Sequence, residues 1–364
     1  MKDTSAIDEL LLQVCKLKGT DLHLSVGSVP NVRVLGVLKP LNQYPIIDDT
    51  KMQSLLNPLM DALAVSQLNT LGQIDMSYTL HVDRGTYYRF RINLFRQKGS
   101  WSGVFRLLNN TIPEFEKLGL PISVLNLYKK RRGLVLVTGV TGSGKSTTLA
   151  SLLNVINANL NKHIITLEDP IEYIHWSRRS IVSQREIGTD CNSFGDGLRA
   201  ALREDPDVIL IGEMRDLETV QTALQAAETG HLVCSTLHTL GAVETISRIL
   251  SMFPNDSREQ ALSQLCSVIE AVVSQQLIPN KDNSGYVVAY EFMYRTPEIV
   301  DYIRNRDIKG LEKFMNSDDA VRCGMYSMDY TLMSLYSRGK ISKESALDYA
   351  FNRTLLQNKI NGRY

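Results

Sequence analysis

The sequence has no long apolar run, no paired cysteines and no excess of charge of either sign, and each absence removes a class of protein. None of its apolar stretches approaches the ~20 residues that a membrane-spanning helix requires. The N-terminus, MKDTSAIDELLLQVCKLKG, is too short and too acidic in its apolar part to be a secretory signal. The five cysteines, at positions 15, 191, 234, 266 and 323, are scattered and include no C-x-x-C pair. That pattern argues against a zinc knuckle and fits free thiols in a reducing compartment. Lys and Arg number 40 against 39 Asp and Glu, so no strong basic field marks a nucleic-acid binder and no acidic tail marks a disordered one. There is no internal repeat and no low-complexity tract. These absences predict a soluble, cytoplasmic chain whose membrane role, if it has one, comes through a partner.

What is present is enough chain for two cores: 364 residues, 43% of them apolar. Ile7, Leu10, Leu11, Val14 and Leu17 recur at helical spacing until Gly19 ends the pattern. DLHLSV then alternates as a half-buried strand does, and VPNVRVLGVLKPL continues with short strands and turn residues. QIDMSYTLHV and GTYYRFRINLFRQ read as two strands joined at residues 83–85, with WSGVFRLL as a third. Residues 1–108 are therefore expected to form a small α+β domain with an antiparallel sheet. Residues 109–118, rich in turn formers and mixed charge, read as a linker. From 119 to 364 the texture changes. Unbroken apolar runs (GLVLVTG, HIITLED, DVILIGE, HLVCSTLH) alternate with helical segments, which predicts an α/β domain with a mostly parallel sheet covered on both faces. The part after about residue 255 is expected to be mostly helical.

GVTGSGKST carries Gly139, Gly144, Lys145 and Ser146 at the G-x-x-x-x-G-K-S/T spacing, after one predicted strand and at the start of a predicted helix. Glycines there let backbone N–H groups face phosphate oxygens at a helix N-terminus, where the helix dipole also favours anions. The candidate nucleotide-binding set is Gly139, Thr141, Gly142, Ser143, Gly144, Lys145, Ser146 and Thr147. Lys145 would reach the β- and γ-phosphates and the Ser146 hydroxyl would ligate Mg²⁺, so the implied cofactors are ATP and Mg²⁺.

Two apolar runs stop at carboxylates: HIITLED at Glu168 and Asp169, and DVILIGE at Glu213. With a phosphate site nearby, these strand ends have a ligand to serve. Glu168 is expected to polarise the attacking water and Glu213 to hold the metal. HLVCSTLH adds His231 before its strand and His238 at its end, where an imidazole could report the γ-phosphate. A polar strand terminus accounts for either histidine equally well.

The order of these boxes is specific. GVTGSGKST, ITLEDPIEY, LREDPDVILIGEMRDLET and AAETGHLVCSTLHT, followed by GMYSMDYTL, resemble the secretion-motor ATPases of the type II and type IV pilus class. The likeness is strongest to the pilus-retraction type and extends into DLHLSVGSVPNVRVLG. It implies a PAS-like N-terminal domain before a RecA-like P-loop domain, with ATP bound between them, in a hexameric ring. It also implies hydrolysis of ATP to drive pilus retraction at the inner face of the cytoplasmic membrane. The implied partners are an inner-membrane platform protein and a paralogous pilus ATPase, with no nucleic acid and no direct insertion. It strengthens the γ-phosphate role of His238 and, less so, of His231. Arg89 and Arg91, two apart on one strand face, resemble the family's charge-compensating arginines. Arg106 is placed at the nucleotide as well. A solvated arginine face remains the alternative for all three.

Three departures stand out. Val140 occupies a position that is usually proline. EIVDYIRN, at 298–305, replaces a helix motif close to AIRNLIRE, keeping Ile303 and Arg304 but not its centre. The tetracysteine site and longer N-terminal region of pilus-assembly ATPases are not found, which favours the retraction type over assembly or type II secretion. From another class, a RecA-like nucleic-acid translocase predicts nucleic-acid-stimulated turnover. Near-neutral composition and the lack of an aromatic and basic loop after Glu213 count against it.

Overall fold

A computed structural model describes residues 4–83, 86–108, 111–282 and 284–362. The chain divides into two compact units: one runs to Thr111 and also takes in Pro170–Ile174, and the other comprises Ile112–Asp169 and the chain from His175 onward. Residues 84–85 of the expected turn and 109–110 of the expected linker lie outside the described residues.

The first unit opens with α1 (Ser5–Lys16), which buries Ile7, Leu10, Leu11 and Val14 as their spacing predicts. Its sheet has six strands: β1 (Asp21–Leu24), β2 (Asn31–Val34), β3 (Val37–Pro40), β4 (Gln73–His81), β5 (Tyr87–Gln97) and β6 (Ser100–Leu108). They pair antiparallel in the order β3-β2-β1-β6-β5-β4. Helices α2 (Asp49–Leu56) and α3 (Ala62–Leu71) join β3 to β4. Alternation sends Leu22, Phe90, Ile92 and Phe105 into one core with the α1 residues. The β5–β6 hairpin closes through Lys98 and Gly99, both at positive φ, as a tight two-residue turn demands.

The second unit begins with the short α4 (Ile122–Leu125) and is built on seven strands. They are β7 (Gly133–Thr138), β8 (His163–Glu168), β9 (Ile181–Glu186), β10 (Val208–Ile211), β11 (Leu232–Leu237), β12 (Ile269–Pro279) and β13 (Tyr286–Tyr294). The order is β13-β12-β7-β11-β10-β8-β9, parallel except for the antiparallel edge strand β13. One face packs on α5 (Lys145–Asn159) through Val135, Val137, Leu149 and Leu153. The other packs on α6 (Phe194–Ala201), α7 (Leu217–Glu228), α8 (Ala242–Ser251) and α9 (Arg258–Val268). It also packs on α10 (Pro297–Arg304) and α11 (Ile308–Met315). A short α12 (Asp318–Arg322) leads to α13 (Met328–Ser337), α14 (Lys343–Asp348) and α15 (Arg353–Ile360), which close a smaller core on Ile278 and Ala289 of the β12–β13 hairpin.

The region after residue 255 opens on helix α9 and then interrupts the expected helical run: β12 and β13 complete the sheet, and α10 to α15 follow them. Among the described residues, no helix is long and apolar enough to cross a membrane.

Candidate functional site

Parallel register brings four strand ends to one edge. Thr138 pairs with Leu237, and Ile211 pairs with both Ser235 and Leu167. The residues that follow (Gly139, Glu168, Gly212 with Glu213, and His238) therefore emerge side by side at the carboxyl edge, where parallel α/β sheets bind ligands.

The loop after β7 needs its glycines. Gly139 sits at φ 137°, and a Cβ there would lie 2.3 Å from the Gln275 carbonyl oxygen. Gly142 and Gly144 are also at positive φ, and Gly144 caps α5. Lys145 is buried, and its Nζ donates to the carbonyls of Gly139 (2.9 Å) and Val140 (3.0 Å), which holds the ammonium over the loop. Ser146 is exposed and Thr147 half-buried at the first turn of α5. The Ser143 hydroxyl is buried with no hydrogen-bond partner among the described residues.

Glu168 ends β8 on the face that carries α5. Its Oε1 accepts from the Thr166 hydroxyl at 2.7 Å and from the Gln184 amide at 3.1 Å. Glu213 follows β10 and is largely buried. Its Oε1 lies 2.5 Å from Arg215 and its Oε2 lies 3.4 Å from Nε2 of His238. The structure thus brings Glu213 and His238 together, and it adds Arg215, which the sequence reading had not singled out.

His231 falls elsewhere. It precedes β11, and its backbone carbonyl accepts from the Gly133 N–H at the start of β7. Its ring Nδ1 lies 2.9 Å from the Ala226 carbonyl. Six strand residues at ~3.3 Å each put it about 20 Å from the loop edge, so within one chain it is not beside His238. The expected γ-phosphate contact of His231 is corrected on that ground.

In the first unit, Arg89 and Arg91 share a face, yet their environments differ. Arg89 is buried, and its three nitrogens donate to the Ile171 carbonyl, the Thr79 hydroxyl and the Ser77 hydroxyl. A guanidinium so engaged ties its own unit together. Arg91 is exposed and lies 3.8 Å from Asp75. Arg106, its cross-strand neighbour, donates to Asp21 at 2.9 Å. Burial raises the Asp21 pKa, but the Thr20 hydroxyl and Arg106 outweigh it and hold the carboxyl below its usual range.

Residues 74–326 match the family described as type II/IV secretion system protein. This chain belongs to that family. It is 40% identical to the type IV pilus retractation ATPase PilT of Pseudomonas aeruginosa over 94% of its own length and 98% of the relative's. It is likewise 40% identical to a twitching motility protein of Neisseria gonorrhoeae, over 89% and 84% of the two chains. A crystal structure of the pilus retraction motor PilT with bound ADP superposes with a TM-score of 0.89 at 44% identity, covering 97% of this chain and 99% of that one. As a member of the type II/IV secretion family, the chain is a nucleotide-binding ATPase of α/β fold, with a parallel-rich sheet and an N-terminal antiparallel sheet.

Of the supporting residues that sequence reading missed, Thr166 had a signal, since it stands two positions before Glu168 on the same strand face. Arg215 also had one, two positions after Glu213. Gln184 had none, because its strand carries no clear apolar pattern.

Proposed function

We propose that this ATPase drives retraction of type IV pili, working as a homo-hexamer against a membrane platform protein on the cytoplasmic side. The observation that carries the reading is the extent of the likeness: it spans both units and nearly the whole of a retraction ATPase, rather than the nucleotide domain alone.

The site residues divide the work. The loop from Gly139 to Gly144 and the first turn of α5 cradle phosphate oxygens, and the orphaned Ser143 hydroxyl is a group that such an oxygen satisfies. Lys145 exchanges its carbonyl partners for the β- and γ-phosphates. Glu168 polarises the water that attacks the γ-phosphorus, and His238 senses the γ-phosphate from its place beside Glu213. Arg91 and Arg106 are the first unit's candidate charge-compensating cations. The donors at the expected metal position, the Ser146 hydroxyl and the Glu213 carboxylate, are hard oxygens of the kind Mg²⁺ prefers. When bound, Mg²⁺ neutralises phosphate charge. Ser146 and Glu213, the latter paired with Arg215 and His238, are the residues that would hold the ion.

The test is a strain lacking the gene, complemented with wild type or with Lys145→Ala, scored for surface pili and surface motility. Excess pili with lost motility, rescued by wild type alone, is the expected result. Bald cells would make the chain an assembly motor, and an unchanged pilus count would overturn the pilus reading.

A further inference from the structure

The carboxylate of Glu168 is held from one side by two donors that are themselves fixed in place. Thr166 is fully buried on the same strand, two residues before it, and donates its hydroxyl to Oε1 at 2.7 Å. A β-branched side chain in that setting has little χ1 freedom, so the hydroxyl direction is set by the strand. Gln184 stands directly across from Thr166 in the β8–β9 register, hence on the same face. Its Nε2 donates to Glu168 Oε1 at 3.1 Å, while its Oε1 accepts the His175 backbone N–H at 2.7 Å. That second bond fixes the amide orientation, because an N–H donor on one end requires the oxygen there and leaves the NH₂ for Glu168. The Glu168 backbone is pinned as well, its carbonyl accepting from Ile187 N–H at 2.8 Å.

We propose that Thr166 and Gln184 are positioning residues for ATP hydrolysis, locking the plane of the Glu168 carboxylate so that it meets the attacking water in one geometry. The inference rests on the reading of Glu168 as the water-polarising group. A freely rotating carboxylate at the end of a strand would sample many orientations, and a misplaced reacting group is costly even at about 1 Å. Neither residue lies in the phosphate loop, so their effect falls on turnover rather than on nucleotide affinity.

The experiment is steady-state ATPase kinetics on the purified full chain, with ADP binding and melting temperature measured alongside. Thr166→Val and Gln184→Met should each lower kcat about 10- to 100-fold while KM for ATP and ADP affinity stay within about twofold. Thr166→Ser, which restores the hydroxyl, should recover most of the rate. In a Glu168→Gln background, neither substitution should lower the residual rate further, because the group they position is gone. If Thr166→Val fails to fold, Gln184→Met on the half-exposed edge strand decides the matter. Unchanged kcat in Gln184→Met, a parallel rise in KM, or a Thr166→Ser as slow as Thr166→Val would overturn the proposal. Failure of the underlying reading looks different: Glu168→Gln would itself retain substantial turnover.

Discussion

At the scale of single residues, His175 shows how a side chain outside the phosphate chemistry still sets working conditions. It lies just past Pro170–Ile174, its ring is buried, and its Nδ1 has no hydrogen-bond partner among the described residues. Burial pushes its pKa down to about 4, against about 6.5 for an exposed imidazole. As pH falls, the unfolded chain takes up this proton first, so the folded state loses ground between those two values and nothing changes above about pH 7. At pH 5 the loss amounts to about 2 kcal/mol, approaching about 3 kcal/mol below pH 4. His175→Phe should remove that part of the pH dependence. Denaturant midpoints at pH 7.5 and 5.0 check it: wild type should drop more than the variant, and equal drops would mean that the imidazole titrates normally in the fold.

At the scale of elements, the interesting acid is Glu291 on β13, which is buried. Its Oε1 accepts the Ala242 N–H at 2.6 Å and its Oε2 accepts the Met328 N–H at 3.3 Å. One carboxylate thus joins the first turns of α8 and α13, where both helix dipoles favour a negative charge. Burial drives its pKa up and the two N–H donors pull it back only in part. Glu291→Ala strands two backbone donors in a buried place, so a loss of about 3 kcal/mol is expected. Urea unfolding monitored by far-UV circular dichroism measures it, and a loss under about 1 kcal/mol would mean that water replaces the carboxylate. The same hairpin explains what could be read from the sequence and what could not. β7, β8, β10 and β11 were legible because each is an apolar run bounded by turn residues, and the glycine spacing of the phosphate loop located the site. β12 was not, because Gln275 and Gln276 interrupt its apolar run and their burial is known only once β7 and β13 lie against it. β9 was missed for the opposite reason: as an edge strand it has neither a continuous apolar run nor clean alternation. His231 misled because the sequence shows that it adjoins a strand, and only the parallel register shows which end of the sheet it occupies.

At the scale of the whole molecule, two compact units share one chain, and no single residue or element reveals how cooperatively they melt. Phe90 is fully buried in the first unit, among Leu22, Ile92 and Phe105, while Phe292 is buried in the second with Val135 and Val137. Truncating a buried phenylalanine to alanine costs about 3–5 kcal/mol. In a unit of roughly a hundred residues, each kcal/mol lowers the melting temperature by about 4–8 °C, and in one more than twice that size by about 2–4 °C. Phe90→Ala should therefore lower one calorimetric transition by at least about 12 °C while the other stays near its wild-type temperature. Phe292→Ala should move that other transition, by about 6 °C or more. Because Arg89 is tied to Ile171, the first unit's transition depends on a segment that the chain supplies from beyond Glu168. Arg89→Ala should consequently shift the same transition as Phe90→Ala. If both phenylalanine variants instead displaced one common transition, the two units would melt as a single cooperative body.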